Sequence, residues 1–229
     1  IPGTTWRSVW TSHYSSYATK TDGTLWAWGS NVRGKLGQNN QTNYSSPRQI
    51  PGTTWVDGMG GDTAVGCTKT DNTLWMWGDD DDGTLGLGQR DQHKSSPYQL
   101  PGTTWGHLAG GYRCFWASKT DGTMWAWGQN EDNQLGVGIP DNNKRSSPTQ
   151  IGSATSWRFT RKDIAGGQRG GFAIKTDNTL WAWGRGLYGV LGLNSTSTQD
   201  EPGQVLGTGW RQVAKGRESS AGIQDTELT

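Results

Sequence analysis

The chain is short of several things that a globular domain normally has in plenty. Leu, Ile, Val and Phe together number 32 of 229 residues, about 14%, a level that in a highly charged chain signals disorder. Charge of one sign is missing too, because 21 basic residues meet 20 acidic ones for a net +1. Such a balance excludes disorder by self-repulsion and offers no broad electrostatic footprint for nucleic acid or an anionic membrane. No apolar run approaches the ~20 residues of a membrane span, and no signal-peptide pattern opens the sequence. Two cysteines, Cys67 and Cys114, are too few for a disulfide framework. The three histidines, His13, His93 and His107, have no metal-ligand spacing with them. No catalytic constellation, metal or cofactor is expected.

What the chain does have is 15 Trp and 36 Gly. Trp is the largest apolar side chain available for burial, so a core of indole rings between glycine-rich turns replaces the missing aliphatics. The tryptophans are not scattered. Trp-x-Trp-Gly occurs at Trp26–Gly29, Trp75–Gly78, Trp125–Gly128 and Trp181–Gly184, in steps of 49, 50 and 56 residues. Lys-Thr-Asp-(Gly/Asn)-Thr precedes each copy, beginning at Lys20, Lys69, Lys119 and Lys175. A further Trp opens each unit, at Trp6, Trp55, Trp105, Trp157 and Trp210, so 13 of the 15 indoles occupy three repeat columns.

Each unit reads as short strands. Asp-Gly or Asp-Asn after Lys-Thr marks a hairpin turn, since these residues tolerate positive φ. The strand Leu25-Trp26-Ala27-Trp28 then puts both indoles on one face and Leu and Ala on the other, so its sheet is expected to be covered on both sides. Further strands are expected before the turn, after the opening Trp, and at Pro47–Ile50 with its counterparts. Four short strands per unit predict an all-β fold, a β-propeller of four-stranded blades. The units run over about residues 6–54, 55–104, 105–156, 157–209 and a partial 210–229. A five-unit domain and a stretch of a longer array are both compatible, the second because Ile1–Trp6 copies the wording of Ile50–Trp55.

The wording Lys20-Thr-Asp-Gly-Thr-Leu-Trp-Ala-Trp-Gly29, followed by Asn31-x-x-Gly34-x-Leu36-Gly37, resembles the regulator-of-chromosome-condensation propeller repeat. The resemblance implies the propeller fold over essentially the whole chain. The variant Ser-Ser-Pro-x-Gln-(Ile/Leu)-Pro-Gly-Thr-Thr-Trp, at Ser45–Trp55 and Ser95–Trp105, is similar to repeats of marine bacterial viruses and environmental bacteria. It implies display on a virion or at a cell surface. One departure matters: the His often found five residues before the Lys is replaced by Ser15, Ala64, Cys114, Gly170 and Ser219, so no role of that His is carried over.

Binding residues are sought where the repeat refuses to repeat. Seven and six residues before each Lys stand His13 and Tyr14, Asp62 and Thr63, Tyr112 and Arg113, Gln168 and Arg169, with Arg217 and Glu218 in the partial copy. Trp116 lies nearby in the following strand. These residues are expected to form a ring at a strand-to-strand turn on one face of the propeller. Diverse polar and aromatic residues on a constant framework are how a scaffold presents a binding surface. Asp79-Asp80-Asp81-Asp82-Gly83 lacks the ligand pattern of a calcium loop and reads as a solvated turn. The four Lys are expected to pack their stems on the following Trp. The insertion at Arg158–Lys162 makes the fourth unit unlike the others.

These features point to a non-enzymatic interaction module that binds a protein or a surface glycan, or other virion proteins. Two alternatives come from the resemblance alone. One is a secreted inhibitor of an enzyme; the other is a nucleotide-exchange or chromatin-type factor.

Overall fold

The four repeated turns fold alike because one side-chain relay sets each of them. In the computed structural model, which describes residues 5–139, 143–158, 160–216 and 219–225, Asp22 Oδ1 accepts the Thr24 amide at 2.9 Å and its hydroxyl at 2.7 Å. Thr24 Oγ1 in turn accepts the Trp26 indole N–H at 2.9 Å. Asp71, Asp121 and Asp177 repeat the relay with their own Thr and Trp. Those hydrogen bonds, from the Thr hydroxyl first, hold all four carboxyls below their ordinary range.

Each relay sits at a hairpin within an antiparallel sheet. The first sheet is β1 (Trp6–Ser12), β2 (Ser15–Lys20), β3 (Leu25–Gly29) and β4 (Tyr44–Ile50). The second is β5 (Trp55–Gly60), β6 (Ala64–Lys69), β7 (Leu74–Gly78) and β8 (Lys94–Leu100). The third is β9 (Trp105–Gly110), β10 (Cys114–Lys119), β11 (Met124–Gly128) and β12 (Arg145–Gln150). The fourth is β13 (Ile164–Gly166), β14 (Gly170–Ile174), β15 (Leu180–Gly184) and β16 (Gln199–Gln204), and β17 (Trp210–Lys215) pairs with β18 (Ser220–Gln224) as a two-stranded fifth. The four-stranded, all-β units match the propeller expectation. Among the described residues no helix is long and apolar enough to cross a membrane.

The opening strands β1, β5, β9, β13 and β17 pack side by side in that order, so they are the inner strands of the blades. Their approach is close. A Cβ on Gly110 would lie 2.7 Å from the Gly60 carbonyl oxygen, and one on Gly166 would lie 2.8 Å from that of Gly110. Only glycine fits there.

Between blades the core is indole. Trp77, Trp127 and Trp183, each the second Trp of its pair, are fully buried. Each reaches the preceding blade's Leu-Gly connector, donating Nε1–H to the carbonyls of Lys35 at 2.7 Å, Thr84 at 2.9 Å and Gln134 at 3.0 Å. Facing them are the Leu and Ala of the strand before, such as Leu25, Ala27 and Ile50 against Trp77. Burial of one Trp removes about 200 Å² from water, on the order of 5 kcal/mol as an upper bound. Trp28 occupies the same column in the first sheet and is half-buried. Both cysteines are buried free thiols, and burial pushes the pKa of each well up.

Candidate functional site

The two ends of the inner strands differ in chemistry. At the hairpin end, the Lys of each unit lies between the opening Trp and the first Trp of the pair. The Nζ-to-ring distances are 4.9 and 4.7 Å for Lys20, 4.5 and 4.1 Å for Lys69, 4.8 and 4.1 Å for Lys119, and 4.8 and 3.7 Å for Lys175. The expected packing on the following Trp is there, and the opening Trp completes it as a two-sided cation–π clamp.

At the other end, each inner strand turns into the next strand of its blade. There His13, Asp62, Tyr112 and Gln168 line a single cavity of about 540 Å³. The rest of its wall is main chain at Gly110, Gly111, Gly166, Gly167 and Gly216. One repeat column therefore supplies every side chain in the lining, as a ring on one face requires. His13 Nδ1 lies 3.2 Å from Asp62 Oδ1. Tyr14 stacks on His13 at 4.0 Å, stands 78% exposed, and has a left-handed backbone, φ +58°. A bulky residue in that region stores strain, and such strain collects at binding and switch sites.

The second members of the ring turn away from the cavity. Arg113 donates to Asp82 Oδ2 at 3.1 Å, with its guanidinium over the Tyr112 ring. Arg169 reaches Asp132 at 3.7 Å. Thr63 Oγ1 is sealed from solvent without a partner among the described residues. Trp116 corrects the expectation outright. It is fully buried in β10, its ring 6.4 Å from that of Trp183, so it belongs to the core between the third and fourth blades. In a strand alternate residues face opposite sides, and its position puts it on the face towards the next blade. Arg217 and Glu218 lie outside the described residues.

The run of four aspartates also differs from expectation. Asp79, Asp80 and Asp82 are buried, at 4%, 0% and 2% exposure, so this is no solvated turn. Asp80 Oδ1 accepts the Leu85 amide at 2.9 Å, as Asn31 does for Leu36 and Asn130 for Leu135. Burial raises the Asp80 pKa in spite of that bond. His93 Nδ1 accepts the Asp80 amide at 3.0 Å, as Asn43 Oδ1 does for Asn31 at 2.8 Å. Donor atoms of Asp79, Asp81 and His93 lie within 4.8 Å of one another. Arg33 of the preceding blade neutralises them, 3.5 Å from Asp81, while His93 Nδ1 is engaged by the backbone and Nε2 lies 2.7 Å from the Arg33 guanidinium.

Two groups escaped the sequence reading. The connector after each Trp-x-Trp-Gly begins beside the variable turn, since the amides of Ser30, Asp79, Gln129 and Arg185 donate to the carbonyls of Tyr14, Thr63, Arg113 and Arg169. Exposed Val32, Leu187 and Tyr188 thus belong to the same face. The other group is a polar column two residues after the opening Trp: Ser8, Asp57 and His107, with Asp163 just before β13 and Gln212 on β17 at the equivalent place. Ser8 Oγ donates to Asp57 Oδ1 at 2.9 Å, and His107 Nδ1 lies 3.6 Å from Asp57 Oδ2. Burial pulls the His107 pKa down to about 4, against Asp57, which pushes it up. The fourth unit's insertion crosses this end. Arg161 donates to Ser8 Oγ at 2.9 Å and to the Val9 carbonyl at 3.2 Å, and lies 3.5 Å from Asp57. The Lys162 carbonyl accepts the Val213 amide at 3.0 Å, so one strap joins the first, second, fourth and fifth units.

Comparison with known proteins agrees with this architecture. The family model for the regulator of chromosome condensation (RCC1) repeat matches residues 22–63, 121–174 and 177–223. Prp20p from Saccharomyces cerevisiae, described with its binding to Gsp1p and histones, superposes with a TM-score of 0.80 at 18% identity, over 97% of this chain and 57% of that one. Yeast RCC1 (Prp20) bound to Kap60 gives 0.83 at 17% identity, over 99% and 56%. Human WBSCR16 gives 0.68 at 17% identity, over 97% and 73%. The chain thus spans a little over half the length of the yeast structures, and at these identities the likeness is one of fold. No curated protein sequence matches it. Repeat wording, blade structure and family match together show that the chain belongs to the RCC1 repeat family.

Proposed function

We propose that this chain is a non-enzymatic protein-interaction module that engages its partner through the turn face. The observation that carries the reading is the cavity whose four side chains, His13, Asp62, Tyr112 and Gln168, come from one repeat column yet are all different. Framework positions repeat and this column does not, which is how a rigid scaffold carries specificity. Fold relatives support the coarse reading, because Prp20p is described by its binding to Gsp1p and histones and by its complex with Kap60. The buried thiols and the engaged histidines suit binding better than catalysis. The Ser-Ser-Pro-x-Gln wording adds a finer reading, in which the module is displayed on a virion or cell surface and meets another virion protein or a host surface protein or glycan.

The test is a screen of the purified chain against protein and glycan arrays. It is repeated with His13, Tyr112 and Gln168 replaced together by Ala, and with Tyr98→Ala on the outer strand β8. The triple variant should lose at least tenfold in affinity and Tyr98→Ala should not. Equal binding by all three proteins would overturn the reading.

A further inference from the structure

The cavity has a one-sided hydrogen-bonding character. The amides of Gly61, Asp62, Gly111, Gly167 and Gly216 all donate inside the protein, to Ala64, Tyr112, Cys114, Gly170 and Ser219. Those five amides are therefore not available to an anion, unlike those of an anion-binding nest. Among the described lining residues the acidic group is the carboxylate of Asp62. Asp62 gives one oxygen to His13, and its other oxygen takes no hydrogen bond from any described residue. Among the described residues, the ring arginines Arg113 and Arg169 point to Asp82 and Asp132. Lys35 Nζ bonds the His13 carbonyl, and burial lowers its pKa while Asp62 opposes that. His13 is half exposed and stacks with the exposed Tyr14 ring. At the far end of the same strands the Arg161 strap crosses between blades.

We propose that the cavity receives a cationic side chain, a guanidinium or an ammonium, from the tip of a loop on the partner protein. This rests on the turn-face reading above and names the chemistry of its centre. The cation replaces His13 as the close partner of Asp62. With the strap across the opposite end, the occupant is a loop tip and not a threaded segment.

Two small probes test this, N-acetyl-arginine N-methylamide and its neutral isostere N-acetyl-citrulline N-methylamide, titrated into full-length chain while His13 ring resonances are followed by NMR. The arginine probe should give a saturable shift, weakened at least tenfold in Asp62→Asn and unchanged in Tyr98→Ala. The citrulline probe should give none. Equal responses to the two probes, silence to both, or a response that survives Asp62→Asn would overturn the proposal. If Asp62→Asn binds a partner normally while the triple Ala variant does not, the cation is wrong and the turn-face reading stands. If neither variant loses binding, both fall.

Discussion

At the hairpin end of the inner strands every complete unit repeats one device, a Lys between two indoles above an Asp–Thr–Trp relay. At the turn end of the same strands, His13, Asp62, Tyr112 and Gln168 share a position and no chemistry. The two ends of each strand are only ~20 Å apart, so distance from the core does not explain the contrast. What differs is the number of obligations each side chain carries. A hairpin-end Trp gives its ring to Lys and its N–H to Thr, whereas a turn residue here closes a loop whose backbone is already satisfied by its own amides. Uniformity follows from shared work, and diversity follows where the backbone carries the structure alone.

The strongest way to break this contrast is to empty an interblade indole site. Trp127→Ala removes a buried ring and its bond to Thr84, and should cost ~3–5 kcal/mol, read as the loss in denaturant midpoint. An equal loss from Tyr112→Ala would erase the distinction.

The polar column beneath the strap sharpens it through pH. His107 is held neutral, with its folded pKa at about 4, below the value near 6.5 of an unfolded histidine. The unfolded chain therefore takes up the proton first. The contribution of His107 is intact above pH 6.5 and is lost as pH falls from there towards 4, by an amount on the order of 3 kcal/mol. His107→Asn should flatten the stability profile in that window, as measured by urea melts across pH; an unchanged slope would contradict the assignment.

Next in size is the relay. Thr123→Val keeps the shape but removes the hydroxyl between Asp121 and Trp125, and should cost ~1–2 kcal/mol. Arg161→Ala comes after it, because the guanidinium is partly exposed and its pairing is screened, at ~0.5–1 kcal/mol. Exchanging the charges in Arg161→Asp with Asp57→Arg should recover part of that loss. Smallest of all is the triple Ala change of His13, Tyr112 and Gln168, whose melting temperature should move least while its partner binding falls.

Much of this was legible in the sequence, and the reasons are local. Lys-Thr-Asp-Gly-Thr-Leu-Trp names a turn and a strand within seven residues, so sheets, hairpins and the grouping of His13, Asp62, Tyr112 and Gln168 follow from spacing, whereas the Asp–Thr–Trp relay emerges only in the structure. Trp116 was misplaced because a strand's two faces look alike when both are covered. Asp79–Asp82 looked solvated because nothing in four acidic letters reveals Leu85, Arg113 and Lys144 arriving from elsewhere. Arg161 meets Ser8 across more than 150 positions, a contact that only the curvature of the whole arc brings about.

The bond from each interior Trp to the carbonyl one blade back has a consequence for how such proteins change over time. At this joint each blade asks of its predecessor an x-Leu-Gly carbonyl and an aliphatic face, and it offers the same to its successor. As far as this bond is concerned any two blades can be neighbours, and duplication or loss of a whole unit by recombination leaves the Trp-to-carbonyl bond available at every remaining joint. A unit gained or lost in this way adds or removes one residue at the cavity rim. The repertoire of surfaces can therefore be shuffled by the unit, without a new core having to be invented each time.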